Sequence, residues 1–251
     1  YITKYLSDFI YMIGSSLTSS LGNLLYSEEG SERSFYTYEM INTMFYFIAC
    51  FLTTALAFCI NSFIVVWVGK DKLFDTVSLV CSLFLFFHGI VRRPQYILKD
   101  IFALYKELQL VSIAESVINL VLSFVLVRKY GIQGVLIATV VATLLTNFWY
   151  FPLYLYKRVF NKKPWLDIAK YITVALLVVA IAVVSNMLLP QISASGYVMW
   201  FLTSCAYSIG VLILLVIIFS LGFKSFRRLL VQCKDMLFGI LHRGKANESV
   251  G

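Results

Sequence analysis

Long apolar runs separated by short polar clusters fill almost the whole chain, and seven can be marked off. The first, about Tyr5 to Tyr26, holds one charge, Asp8. The second, Met40 to Val68, holds none, and the third, Leu73 to Val91, has Asp75 near its start. The fourth, Glu107 to Val127, carries Glu115 inside it, and the fifth, Gly131 to Tyr156, is uncharged. From Tyr171 to Phe223 no charge appears, a stretch too long for one helix. It breaks at the turn-like cluster Pro190 to Gly196, giving a sixth run, about Leu166 to Leu189, and a seventh, about Tyr197 to Gly222.

Each run matches the roughly 20 residues that cross a hydrocarbon core as a helix. Membrane-embedded backbone must pair internally, so only helices or a closed barrel qualify. Barrel strands would alternate in polarity, and these runs do not. The pattern therefore predicts an all-α, polytopic membrane helix bundle of about seven transmembrane helices.

Composition agrees. Hydrophobic residues make up 60% of the 251 and charged residues only 14%, against about 25% charged in soluble domains. Mean hydropathy is +0.84. The net charge of +8 comes from residues flanking the runs, which argues for a membrane and against a nucleic-acid partner. Arg92, Arg93, Lys99 and Lys106 follow run three; Lys157, Arg158, Lys162 and Lys163 follow run five. Lys224, Arg227, Arg228, Lys234, Arg243 and Lys245 follow run seven, and the alternate connections carry fewer cations. Seven alternating spans put these three segments on one side, which the positive-inside rule makes the cytoplasm, with the C-terminus in it. In the basic tail, Phe223, Phe226, Leu230, Cys233, Leu237 and Ile240 recur at helical spacing. This reads as an amphipathic helix on an anionic leaflet. The domain division is then 1–156, 166–222 and 223–251. The chain opens at Tyr1 almost directly into a run, as the C-terminal part of a longer transporter would.

Polar groups inside the runs are the candidates for function, because a charge at the centre of a span costs about 2.5–3.5 kcal/mol on insertion scales. Ser112, Glu115, Asn119 and Ser123 share one face of run four. They line a hydrophilic cavity or form an interhelical hydrogen-bond seam, and both readings stand. Thr139, Thr143 and Asn147 make a similar stripe in run five, with Pro152 near its end as a potential kink. Run one offers Lys4 and Asp8, and Ser15, Ser19 and Gly22 suit close packing. His88 lies one turn from Arg92 and Arg93 and reads as an interfacial histidine. Cys50, Cys59, Cys81, Cys205 and Cys233 form no CxxC or Cys/His cluster, and His88 and His242 lie far apart. No metal, disulfide or cofactor is expected. No GxSxG, HExxH, P-loop or DxD pair occurs, so the chain is not expected to be an enzyme.

Several stretches have a familiar look. They are Glu115-Ser-Val-Ile-Asn119-Leu-Val-Leu-Ser123, Tyr130-Gly-Ile-Gln-Gly134-Val-Leu-Ile-Ala-Thr139 and Pro152-Leu-Tyr-Leu-Tyr-Lys157-Arg-Val-Phe160. Upstream come Ser62 to Gly69, Arg93-Pro94 with Lys99-Asp100, and Ser16 to Gly22 followed by Glu28-Glu29. Together they resemble polysaccharide repeat-unit flippases, the O-antigen and teichoic-acid type exporters of the multidrug/oligosaccharidyl-lipid/polysaccharide superfamily. Ala138 stands where the pattern has Gly. The resemblance implies the second lobe of a MATE-like flippase plus two extra C-terminal helices, in a bacterial cytoplasmic membrane. It implies flipping of an undecaprenyl-diphosphate-linked oligosaccharide for surface polysaccharide (lipopolysaccharide or capsule) synthesis. The implied partners are that substrate, membrane lipids, and a polysaccharide polymerase with its export machinery. Lys4, Arg92 and Arg93 are the local cations for a diphosphate, although ordinary loop positions explain the two arginines as well. A multidrug or metabolite exporter of the same superfamily, or a membrane polysaccharide polymerase, remains as an alternative.

Overall fold

The structure is a computed structural model that describes residues 2–27, 32–73, 75–188, 196–232 and 234–235. Among these residues it is all helical, apart from turns and connections. The elements are α1 (Ile2–Ser27), α2 (Glu32–Trp67), α3 (Thr76–Val91), α4 (Arg93–Ile101), α5 (Tyr105–Tyr130), α6 (Ile132–Leu145), α7 (Asn147–Phe160), α8 (Trp165–Leu188) and α9 (Tyr197–Gly222). A 3₁₀ turn, Lys70–Lys72, links α2 to α3, and residues 224–232 are helical.

Six stretches are long and apolar enough to cross a membrane: α2, α3 with α4, α5, α6 with α7, α8 and α9. This is the make-up of a multi-pass helical membrane protein. The first expected span, α1, is long enough at 26 residues but is not among the six. Lys4, Asp8 and its serines dilute its apolar content. The second span starts earlier than expected, because the polar stretch from Glu32 to Glu39 continues the helix.

Local sequence explains the breaks. Asp75 caps α3: its carboxylate accepts from the Ser78 backbone N–H at 2.9 Å and from the Ser78 hydroxyl at 2.7 Å. Pro94, in the first turn of α4, suits a helix start and lets the chain bend at Arg92. The α5–α6 turn needs Gly131, whose φ of +56° is left-handed. Gly134 allows the close approach that follows, since a Cβ there would lie 2.4 Å from the Leu126 carbonyl oxygen. Asn161 ends α7 with φ +50°, and the Lys162 N–H returns to the Tyr156 carbonyl at 3.0 Å. The fifth span breaks at Thr146, between α6 and α7, rather than at Pro152, which lies inside α7.

α2 is the central post. It packs against α1, α3, α4, α8 and α9, and Phe45, Ala49 and Cys50 on it are fully buried. Phe86 and Ile90 of α3, Val174 of α8, and Leu215 and Phe219 of α9 complete that core. A second core joins Tyr38, Leu98, Leu108, Leu155, Tyr156 and Phe160. The two C-terminal helices are thus built into the main bundle through α2. α5 is different. It packs on α6 and α7, buries only Leu108, and turns Leu110, Leu120 and Phe124 outward.

The start of the tail also departs from expectation. Phe226 does not face an interface; it is buried against Phe47 and Phe219, with ring centroids 4.9 and 5.5 Å apart. An aromatic ring gains more from that core than from a headgroup layer. Cys233's side chain, Leu237, Ile240, His242 and the rest of the tail, like Pro190 to Ser195 of the expected turn, lie outside the described residues.

Candidate functional site

Two polar sites are set into this apolar bundle. The first joins the two stripes read from the sequence. α5 presents Glu115 and Asn119, and the α6–α7 hairpin partner presents Thr139, Thr143 and Asn147. The Thr143 hydroxyl donates to Glu115 Oε1 at 2.6 Å, and Asn147 Nδ2 donates to Glu115 Oε2. One turn further, Asn119 Oδ1 accepts from Ser123 Oγ at 3.1 Å and Thr139 Oγ1 at 3.3 Å. The seam is partly buried. Ser112 is the exception among the stripe residues: it is exposed and its hydroxyl returns to the Leu108 carbonyl.

A charged and aromatic face adjoins this seam. Tyr96 of α4 approaches Asn147 and the Glu115 carboxylate. The Arg93 guanidinium lies 4.1 Å from the Tyr11 ring centroid of α1 and 6.0 Å from that of Tyr96. Lys99 reaches the rings of Tyr96 and Tyr105 at 5.4 and 5.1 Å. The Tyr105 hydroxyl donates to Asp100 at 3.1 Å. Lys4 and Asp8 are exposed on α1, and the Asp8 charge acts on Arg93.

The second site was missed by sequence reasoning. Asp167, in the first turn of α8, is 1% exposed and is a hub. Its Oδ1 accepts from Asn42 Nδ2 at 2.7 Å and from the Tyr46 hydroxyl at 3.1 Å. Its Oδ2 accepts from Gln95 Nε2 at 3.1 Å and lies 3.6 Å from Arg92 Nη1. The helix N-terminus adds positive potential at the same carboxylate. Arg92, 2% exposed, also donates through Nη2 to the Phe148 carbonyl at 2.9 Å. Pro152 has no N–H, so the carbonyl four residues before it has no intrahelical partner. Arg92 fills that vacancy, which ties the α3–α4 bend to α7 and α8.

Two expectations are corrected here. Arg92 is not a solvated loop cation; a buried carboxylate and a freed carbonyl hold it inside the bundle. His88 is not interfacial: it is buried, with Nδ1 3.0 Å from the Tyr171 hydroxyl and its ring stacked on Phe84. A lesser cluster, also unforeseen, lies near the N-terminal end of α2. There Glu39 pairs with Lys170 and accepts from the Tyr156 hydroxyl, and Lys162 pairs with Glu32.

The sequence signal for the hub was faint. Asp167 reads as an ordinary acidic residue opening a helix, with Lys170 one turn on as its natural partner. Arg92 reads as half of a loop pair. The one available hint was Pro152, which announces an orphan carbonyl at Phe148 that some donor must satisfy. Among the described residues, no group of three or more metal-ligating side chains comes together. No family model, curated protein or solved structure matches the chain.

Proposed function

We propose that the chain is part of a transporter that flips a lipid-linked oligosaccharide diphosphate across the bacterial cytoplasmic membrane, with its C-terminus in the cytoplasm. The observation that carries this reading is the face formed by α1, α4, α5 and α7. It gathers Arg93, Lys99, Asp100 and Glu115 around Tyr11, Tyr96 and Tyr105. Lipid tails solvate such a face poorly, so in a membrane it adjoins a wet cavity or a polar partner. A sugar-diphosphate headgroup cannot enter hydrocarbon unaided. Cations suit its phosphates, hydroxyl and carboxylate groups suit its sugars, and tyrosine rings suit sugar faces. α1, which is not among the six candidate spans, would turn its exposed side to this cavity, and facing it would be a second lobe. Alternation of the two lobes would carry the headgroup across while the polyprenyl tail stays in the bilayer. The resemblance of the Glu115–Ser123 and Tyr130–Thr139 stretches to polysaccharide flippases supplies the substrate class.

The test is reconstitution of the full reading frame in vesicles holding a fluorescent lipid-linked oligosaccharide diphosphate. Flipping is read as loss of protection from an impermeant lectin. Protein-dependent flipping that falls at least tenfold with Arg93→Gln or Lys99→Gln is expected. No flipping of the diphosphate lipid, with transport of hydrophobic cations instead, would replace this reading with drug export.

A further inference from the structure

A cavity of about 360 Å³ lies between α2 and α3, with Thr3 of α1 also on its lining. Its walls are Leu56, Ile60 and Ile64 of α2 and Leu79 and Leu83 of α3, with Ser82 the main polar interruption. Trp67, at the C-terminal end of α2, and Lys72, in the 3₁₀ turn that follows, also line it. From Leu56 to Trp67 the helix rises about 16 Å at 1.5 Å per residue, close to half of a hydrocarbon core about 30 Å thick. The cavity therefore has the depth of one leaflet and extends to the C-terminal end of α2. Trp67 is 55% exposed there, as tryptophans at a headgroup boundary are. Lys72 and neighbouring Lys70 are exposed in the 3₁₀ turn and make no ion pair among the described residues. Of the nearby carboxylates, Asp71 shares that turn and Asp75 is engaged by Ser78.

We infer that this groove is a binding site for one anionic membrane phospholipid, whose acyl chain lies between α2 and α3 and whose phosphate meets Lys72. The apolar wall supplies affinity by burying chain methylenes. The ammonium supplies selection, since a cation beside an anionic headgroup favours it about fivefold. The groove shares no residue with the face proposed to take the transported headgroup, and the inference does not rest on that proposal.

Quenching of Trp67 fluorescence by acyl-brominated lipids tests it directly. The 251-residue chain carrying Trp149→Phe, Trp165→Phe and Trp200→Phe has Trp67 as its one indole. It is reconstituted with brominated phosphatidylglycerol or brominated phosphatidylcholine. The expected result is a roughly fivefold preference for phosphatidylglycerol, abolished by Lys72→Gln, with loss of groove quenching by either lipid in Ser82→Phe. Native mass spectrometry of the otherwise unaltered chain, counting retained phosphatidylglycerol with and without Lys72→Gln, gives the same answer if the triple variant folds poorly. Equal quenching by the two lipids, or a preference untouched by Lys72→Gln, overturns the inference. So does a preference that survives Ser82→Phe, which would place the lipid on the surface outside the groove. Displacement of phosphatidylglycerol by equimolar polyprenyl phosphate would assign the groove to a polyprenyl lipid instead.

Discussion

Asp167 and Glu115 are both carboxylates set among apolar helices, yet their surroundings differ in kind. Asp167 is shut away at the meeting of α2, the α3–α4 bend, α7 and α8, with hydrogen bonds from three side chains and an arginine beside it. Glu115 sits on a peripheral helix that buries one residue, within a partly open seam, beside a charged face. A charge enclosed on all sides must be matched by fixed partners, or it is not tolerated. A charge left half-open can be shared with water or a ligand. The first arrangement is a clasp that holds the bundle together, and the second leaves a carboxylate whose only side-chain hydrogen bonds among the described residues come from Thr143 and Asn147.

The largest effect expected from breaking this contrast is at the clasp. Asp167→Ala leaves Arg92 buried without its counter-charge, a cost of about 3–5 kcal/mol. Membrane abundance should fall to a small fraction of wild type, as it should for Arg92→Ala. The neutral pair Asp167→Asn with Arg92→Gln should recover most of the loss, because neither buried charge remains. Abundance by quantitative blotting checks all three; a double variant as poor as the singles would refute the charge argument.

Gly134→Ala comes next. A methyl group 2.4 Å from the Leu126 carbonyl oxygen must push α5 away from α6, at about 1–3 kcal/mol. Because α5 has little other packing, the change should loosen the seam while leaving the clasp intact. Faster hydrogen exchange confined to α5 and α6 is the expected readout.

Glu115 was visible from sequence for the reason that Asp167 was not. The seam is built from two expected spans adjacent in the chain, α5 and the α6–α7 pair, and each announces itself by polar residues three or four apart in an otherwise apolar run. Helical periodicity suffices to place them on facing sides. Five of the seven expected runs reappear as helices within a few residues of their expected limits, because apolar length is a local property. The clasp is made of Asn42, Tyr46, Arg92, Gln95, Phe148 and Asp167, drawn from four separated segments. No spacing rule links them. The status of α1 was also hard to read, since apolar spacing marks a helix whether or not its polar side faces lipid.

Asp75 offers the smallest and most local effect. Hydrogen bonds from the Ser78 hydroxyl and backbone hold its carboxyl below the usual carboxylate range. A depressed folded value means that the stabilisation is present at neutral pH and is lost as pH falls through that value. Thermal stability should therefore dip at the acid end in wild type and lose that dip in Asp75→Asn. A carboxylate that is solvent-exposed and replaceable in this way sharpens the contrast with the enclosed one at Asp167.

The contrast is tested most directly by Glu115→Gln, measured by surface polysaccharide export together with membrane abundance in a strain lacking its own flippase. The substitution keeps shape and most hydrogen bonding but removes the charge. If the seam serves a transported headgroup, the variant reaches the membrane at wild-type level and loses at least tenfold in export. Wild-type export at wild-type abundance would contradict the account and leave Glu115 as a structural brace.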